Sequence, residues 1–152
     1  MNPTIFLDFD GVTHPEGCRA KELFCKMPLI ESVLLRHPKV HVVISSSWRE
    51  HRPLQLLQQH FSQSLRQRVV GCTPVARQGP CEPAQPHIRE MECKSWLQTH
   101  QMEILRNGHW LAIDDAPWLF SRDCEQLLKT NPRSGFAEAD QVRLERHLQM
   151  WS

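Results

Sequence analysis

The stretch IFLDFDGV, residues 5–12, decides how the rest of the chain is interpreted. Its apolar residues end in two carboxylates spaced i and i+2, followed by a glycine, which is typical of a buried strand that ends and turns. In an open α/β sheet, ligands bind at this end of the strands. Two carboxylates that meet there repel each other unless a cation or a proton lies between them. Asp8 and Asp10 therefore indicate either a hard-cation site or an acid/base pair.

Length and composition predict one globular domain that spans residues 1–152. The net charge of +1 gives no electrostatic argument for a membrane or nucleic-acid partner, although a local basic patch is compatible with a neutral total. No apolar stretch approaches the roughly 20 residues that a membrane helix needs. No basic region precedes the first apolar run, so we expect a cytoplasmic protein without a signal peptide.

The six cysteines contain no CxxC pair and no zinc-ligand spacing. We predict reduced, mostly buried thiols, because free cysteine is usually a core residue. A structural metal at Cys18 and Cys25, or at Cys72 and Cys81, is a weaker alternative.

Strand patterns and helix patterns alternate along the chain. This alternation predicts an α/β fold of three layers, in which a Rossmann-like parallel sheet carries helices on both faces. The predicted strands are residues 4–8, 40–44, 69–72, 110–113 and 126–129. The predicted helices are residues 28–36, 53–61, 88–98 and 137–149, and residues 73–86 form a proline-rich loop.

Two further predicted strands end in polar residues. Ser45 and Ser46 follow the second strand, and Asp114 and Asp115 follow the fourth. One such carboxylate alone is often only a helix cap or a turn residue. Because parallel strands end at one edge of a sheet, however, these groups can gather there with Asp8. Carboxylate oxygens without histidine or cysteine ligands favour Mg²⁺, which commonly bridges to phosphate.

These motifs resemble those of the haloacid dehalogenase superfamily of phosphohydrolases. The residues that carry the resemblance are IFLDFDGV, VHVVISSSWRE and WLAIDDAPW, in the order that the superfamily has them. More narrowly, the chain is similar to the haloacid dehalogenase-like domain of bacterial Swiss Army knife RNA repair proteins. That similarity lies in LDFDGV, ISSSWR, VGCTP, REMECKSWL and TNPRSGF.

The resemblance implies a role for each carboxylate. Asp8 would be the nucleophile that forms an aspartyl-phosphate. Asp10 would protonate the leaving group and then activate water. Mg²⁺ would be held by Asp8, the backbone carbonyl of Asp10 and Asp114, while Asp115 would bind through water or orient the others.

The resemblance also implies donors to the phosphate. Ser45 would bind the phosphoryl oxygens, with Ser46 as the alternative if the register differs by one. A lysine or arginine before the last catalytic strand would bind the phosphate as well. We favour Arg89 for this cation, then Lys94, with Arg77 as a third candidate.

Three further residues are candidates for contact with a substrate. Trp48 would stack on a base, or alternatively pack in the core. Arg49 would contact a second phosphate. His14 would line the entrance to the site, or alternatively be an incidental loop residue.

The intervals between the motifs are too short to hold a large cap domain. An open site suits a phosphate at the end of a large molecule, although a partner subunit could also act as a lid. The resemblance therefore implies a Mg²⁺-dependent phosphomonoesterase that acts on RNA or DNA ends. A phosphatase for small metabolites or nucleotides and a non-catalytic domain that binds phosphorylated ends remain alternatives, and the oligomeric state is open.

Overall fold

The computed structural model describes residues 2–76 and 86–152. Its centre is a five-stranded sheet with strands β1 (Thr4–Leu7), β2 (His41–Ile44), β3 (Val69–Cys72), β4 (Trp110–Asp114) and β5 (Leu127–Lys129). All neighbouring strands run parallel, in the order β3-β2-β1-β4-β5. The parallel sheet is therefore confirmed, and β1 lies at its centre.

Helices cover both faces of this sheet. The helices are α1 (Met27–Leu34), α2 (Leu54–Gln58), α3 (Gln63–Arg66), α4 (Ile88–His100), α5 (Met102–Asn107) and α6 (Glu138–Met150). Side chains alternate along β1, so that Ile5 and Leu7 pack with α1, α2, α3 and α6. Phe6 points to the other face and packs with α4 and α5. The three-layer α/β architecture is confirmed.

The helices differ from the sequence prediction in two places. Residues 53–61 do not form one helix, because α2 ends at Gln58 and Ser62 is the N-cap residue of a separate α3. Helix α5 was not predicted, although Gly108 marks its end with a left-handed φ of 72°, which glycine adopts without strain. None of the helices in the described ranges is long and apolar enough to cross a bilayer. The cytoplasmic location stays a prediction.

The loop that follows β1 is bonded to the segment that follows β5. The Phe136 N–H donates to the Val12 carbonyl at 2.7 Å. The Thr130 hydroxyl donates to the Gly11 carbonyl, also at 2.7 Å. These bonds hold the loop of the first motif in place at the C-terminal edge of the sheet.

The described ranges contain no cap domain over this edge. Between β1 and β2 the chain forms the short 3₁₀ turn Ala20–Glu22 and α1. Between β2 and α4 it forms the 3₁₀ turn Ser47–Glu50, α2, α3 and β3. Residues 77–85, outside the described part, are too few for a domain. The expected absence of a large cap is confirmed.

Two adjacent leucines at the C-terminal end of α1 give a matched test of the core: Leu34 is its last residue and Leu35 is its C-cap residue. Leu34 is fully buried, whereas Leu35 is 51% exposed. We expect Leu34→Ala to lower the free energy of unfolding by about 2–5 kcal/mol, because it removes buried methyl groups and leaves a cavity. Leu35→Ala should change it by less than about 0.5 kcal/mol. Urea unfolding measures both variants, and equal losses would contradict this packing of α1.

Candidate functional site

Three carboxylates meet beyond the ends of β1 and β4. The two strands pair with Leu7 opposite Ile113, and the Asp8 N–H donates to the Ile113 carbonyl at 3.1 Å. Side-chain oxygens of Asp8, Asp114 and Asp115 therefore lie within 4.8 Å of one another. Asp8 and Asp114 are buried. The structure thus gathers the acidic residues that the sequence placed at two separate strand ends.

Gly11 gives Asp115 the space it needs to approach the loop after β1. Gly11 has a φ of +78°, in the left-handed region that favours glycine. A Cβ atom at this position would lie 2.2 Å from Oδ2 of Asp115. Both the backbone conformation and the space occupied by Asp115 therefore require glycine in this motif.

Arg89 is the cation that contacts the acidic cluster. It lies in the first turn of α4. Its Nη1 donates to Oδ2 of Asp114 at 2.9 Å and lies 3.4 Å from Oδ1 of Asp8. This position agrees with the preference for Arg89 among the candidate cations.

Lys94 does not share this position. Its Nζ donates to Glu90 at 3.0 Å, and Glu90 also accepts hydrogen bonds from the amide and the hydroxyl of Ser121. Although burial acts in the opposite direction, the hydrogen bonds from Ser121 and Lys94 lower the pKa of Glu90 to about 2. Lys94 thus pairs with Glu90, and its expected role as a phosphate ligand stays a prediction. Arg77, the third candidate, lies outside the described residues.

The electrostatics of the cluster favour added positive charge. Burial raises the pKa of Asp8 well above its ordinary value, the charge of Asp114 raises it further, and Arg89 opposes both. Burial also raises the pKa of Asp114, despite its bonds to Arg89 and to the Ala116 N–H. In turn, Asp114 and Asp8 raise the pKa of Arg89 against the effect of its own burial. One guanidinium does not balance the charge of these carboxylates.

Ser45 brings an unpartnered hydroxyl to this edge. Its N–H donates to the Leu7 carbonyl at 3.0 Å, so Ser45 lies next to the residue that precedes Asp8. The Ser45 Oγ is buried and has no hydrogen-bond partner among the described residues. The Oγ of Ser46, by contrast, accepts from the Trp48 N–H at 3.2 Å and caps the following turn. The unpartnered hydroxyl favours Ser45 as the donor, and the alternative of Ser46 stays a prediction.

Thr73 is a second such hydroxyl, which the sequence reasoning missed. It directly follows β3, whose Cys72 pairs with Ile44 of β2, so Thr73 and Ser45 occupy equivalent strand-end positions. The Thr73 Oγ1 is also buried without a hydrogen-bond partner in the described part of the chain. Its position after an apolar strand was the signal that could have revealed it.

Arg49 connects several segments of the fold. Its guanidinium donates to the carbonyls of Ser45, Ser46 and Thr73. It also forms an ion pair with Glu92 of α4 at 2.9 Å, and the Arg49 side chain is only 4% exposed. Because these partners occupy its donors, the expected contact of Arg49 with a second phosphate is corrected. Arg49 instead ties the ends of β2 and β3 to α4.

Trp48 packs against other aromatic side chains. Phe9 and Phe24 contact its ring edge-to-face, with centroids at 5.6 and 5.3 Å. The Cζ atom of Arg52 lies 4.6 Å from the ring centroid. These contacts support the alternative that Trp48, which is partly buried, packs against the core, and its stacking on a base stays a prediction.

Asp10 lies outside the acidic cluster, beside two rings. Its Oδ1 lies 2.8 Å from Nε2 of His14, and its Oδ2 accepts from the Trp48 indole N–H at 3.0 Å. His14 is 1% exposed. It is therefore neither an entrance residue nor an incidental loop residue, and both interpretations are corrected. The expected role of the Asp10 carbonyl as a metal ligand stays a prediction.

The cysteines contribute nothing to this cluster. Those in the described residues are free thiols, and only Cys93 among them is buried, so the prediction of mostly buried thiols is wrong. The described ranges contain no group of three or more candidate metal ligands that includes Cys18 or Cys25. Cys81 lies outside the described residues, which leaves the alternative of a metal at Cys72 and Cys81 untested.

The donor set of the acidic cluster fits Mg²⁺. Asp8, Asp114 and Asp115 offer only oxygen ligands, which a hard cation prefers. Burial raises the pKa of Asp8 and of Asp114 by disfavouring their charged forms, and a bound cation would oppose this effect. The cluster therefore has the chemistry and the electrostatic need of a magnesium site.

One family model matches residues 4–141 and is described as the HAD domain in Swiss Army Knife RNA repair proteins. Because this match covers nearly the whole sequence, the chain belongs to that family. The resemblance of the motifs to the haloacid dehalogenase (HAD) superfamily is thereby confirmed, and the family points to the phosphohydrolase class. No curated protein and no solved structure matches the chain.

We predict that Asp8→Asn stabilises the metal-free fold at neutral pH. The pKa of Asp8 is raised in the folded state, so the folded protein loses stability as the pH rises from about 4 through that raised pKa. Asparagine removes this loss. Thermal unfolding in EDTA should give a higher midpoint for Asp8→Asn than for the wild type at pH 7, and a smaller difference near pH 4.

Asp123→Asn, at an exposed aspartate, is the matched control and should leave the midpoint unchanged. A lower midpoint for Asp8→Asn at pH 7 would mean that the bond to Arg89 outweighs the repulsion and the burial.

Proposed function

We propose that this chain is a Mg²⁺-dependent phosphomonoesterase that forms an aspartyl-phosphate on Asp8. The observation that carries the proposal is the cluster of Asp8, Asp114 and Asp115 beside the unpartnered hydroxyl of Ser45. A nucleophilic carboxylate, carboxylates that hold a cation, and buried donors at one edge together suit the transfer of a phosphoryl group.

In this proposal, Asp8 is the nucleophile and Asp10 is the general acid and base. In the first step, an oxygen of Asp8 forms a bond to phosphorus, and the bond from phosphorus to the leaving oxygen breaks. Asp10 gives its proton to that oxygen, so that an alcohol departs. In the second step, Asp10 takes a proton from water, whose oxygen attacks phosphorus and displaces Asp8. The products are inorganic phosphate and the free enzyme.

The surrounding residues bind and orient. Asp8, Asp114 and Asp115 would hold Mg²⁺, and the bound ion would supply positive charge that offsets the repulsion between Asp8 and the phosphate. Arg89 contacts both Asp8 and Asp114 and orients their carboxylates. Ser45 donates its hydroxyl to the phosphoryl oxygens, where hydrogen bonds to charged acceptors are strong.

The proposed substrate is a phosphate at the end of a polynucleotide. Three observations support it: the family description names RNA repair proteins, the described ranges hold no cap, and an exposed aromatic side chain follows Asp115 closely in the sequence. That ring is Trp118, 72% exposed in the 3₁₀ turn Pro117–Leu119 that closely follows Asp115. Stacking of one base on such a ring is worth about 1–3 kcal/mol.

A phosphatase panel tests the function and the substrate class together. It contains 3′- and 5′-phosphorylated RNA and DNA ends, mononucleotides, small sugar phosphates and 4-nitrophenyl phosphate, each with Mg²⁺. We expect the highest kcat/KM on a polynucleotide end, and a loss of at least about 10³-fold in Asp8→Asn, which lacks the nucleophile.

A higher kcat/KM on a small ester than on any polynucleotide end would indicate that the substrate is a metabolite. If the protein hydrolyses no ester but binds phosphorylated ends, the proposal of an enzyme is wrong and the chain is a domain that binds such ends.

Ser45 and Ser47 provide a matched pair for the phosphate contact. We expect Ser45→Ala to lower kcat by about 10²-fold, because it removes a preorganised donor to the transferred group. Ser47 is exposed, and Ser47→Ala should change kcat by less than about twofold. Steady-state kinetics on the best substrate of the panel measures kcat for both variants. Similar kcat values for Ser45→Ala and Ser47→Ala would show that Ser45 does not bind the phosphate.

A further inference from the structure

Both carboxylate oxygens of Asp10 are held by ring N–H groups from different parts of the chain. Oδ1 lies 2.8 Å from Nε2 of His14, four residues along the same loop. Oδ2 accepts from Nε1 of Trp48, in the turn after β2. Because each carboxylate oxygen has two lone pairs, one remains on each oxygen for a transferred proton. The two rings therefore orient the group without blocking proton transfer.

The bond to Asp10 indicates that Nε2 of His14 carries a hydrogen, because a carboxylate oxygen only accepts. Nδ1 has two polar neighbours: the Phe24 N–H lies 3.3 Å from it, and the Thr13 hydroxyl lies 3.1 Å from it. That hydroxyl also donates to the Phe9 carbonyl at 3.1 Å. These neighbours fix the ring plane, so that Nε2 faces Asp10.

Packing leaves the His14 ring little freedom to turn. The side chain is buried, and the rings of Phe24 and Trp48 lie at 5.2 and 6.0 Å from its centroid. Its backbone carbonyl accepts from the Gly11 N–H at 2.9 Å. A Cβ atom at Gly135 would lie 3.1 Å from the His14 carbonyl carbon, so the segment after β5 closes against the same residue.

We infer that His14 is a positioning residue that, together with the Trp48 indole, holds the Asp10 carboxyl in one orientation for proton transfer to the leaving group. This inference rests on the proposed function. His14 itself transfers no proton and contacts no substrate. Its effect should therefore depend on how strongly the leaving oxygen needs a proton.

The test compares two esters that differ in this need. 4-Nitrophenolate departs readily without a proton, whereas an alkoxide requires one. We expect His14→Leu and Trp48→Phe to lower kcat/KM by about tenfold or more for the best alkyl phosphate of the panel, and by less than about threefold for 4-nitrophenyl phosphate. His14→Gln, which restores an N–H donor near the position of Nε2, should recover most of the loss on the alkyl ester.

His60 offers the matched control. It stacks on Phe24 in the same aromatic cluster, with centroids 4.0 Å apart, and it is distinct from the two rings that hold Asp10. His60→Leu should leave the ratio of the two kcat/KM values unchanged. Equal losses on both esters in His14→Leu, a failure of His14→Gln to recover activity, or the same change of ratio in His60→Leu would each overturn the inference.

A second measurement does not depend on activity. ¹⁵N NMR of the imidazole should show hydrogen on Nε2 of His14. Asp10→Ala should shift the signals of both His14 Nε2 and Trp48 Nε1, while Asp123→Ala should shift neither. A His14 ring without hydrogen on Nε2 would overturn the inference. A wild-type protein that hydrolyses no ester would overturn the proposed function instead, and these signals would then report only whether the rings hold Asp10.

Discussion

The repulsion among Asp8, Asp114 and Asp115 is the constraint on which the site depends. Parallel pairing of β1 with β4 brings their ends to the same level, and Gly11 lets the last of the three carboxylates approach. Burial strengthens the repulsion, because little water remains to screen it. Arg89 offsets part of it by contacting two of the acids. The negative charge that remains makes this edge suitable for a divalent cation.

The polar groups around the cluster divide into those that the fold uses and those that it leaves available. Ser46 caps a turn, Arg49 joins strand ends to α4, and Lys94 pairs with a glutamate. The hydroxyls of Ser45 and Thr73 are buried and have no partner in the described part of the chain. A buried donor without a hydrogen-bond partner destabilises the folded state unless a ligand accepts its hydrogen bond. The available groups, rather than the number of polar residues, therefore indicate where an anion binds.

Asp8 and Asp10 show how two carboxylates two residues apart acquire different chemistry. Asp8 lies at the strand end, buried among other acids, where its charge favours a cation. Asp10 lies in the loop, with a side chain that is 49% exposed, and it faces two ring N–H groups instead. Different environments push two like groups towards different roles, and this division accommodates both a cation site and an acid/base group.

The sequence by itself determined the five strands, their alternation with helical segments, the acidic strand ends and the resemblance to the family, since each follows from a short pattern of neighbouring residues. Only the tertiary structure showed that Ser45, Ser46, Arg89 and Lys94 have different partners, and only it revealed the unpartnered Thr73 hydroxyl and the bond between His14 and Asp10. The reason is physical. Whether a polar side chain is available depends on partners that are distant in sequence, such as Glu92 for Arg49. A local pattern shows which groups a residue offers, whereas packing decides which of them remain free.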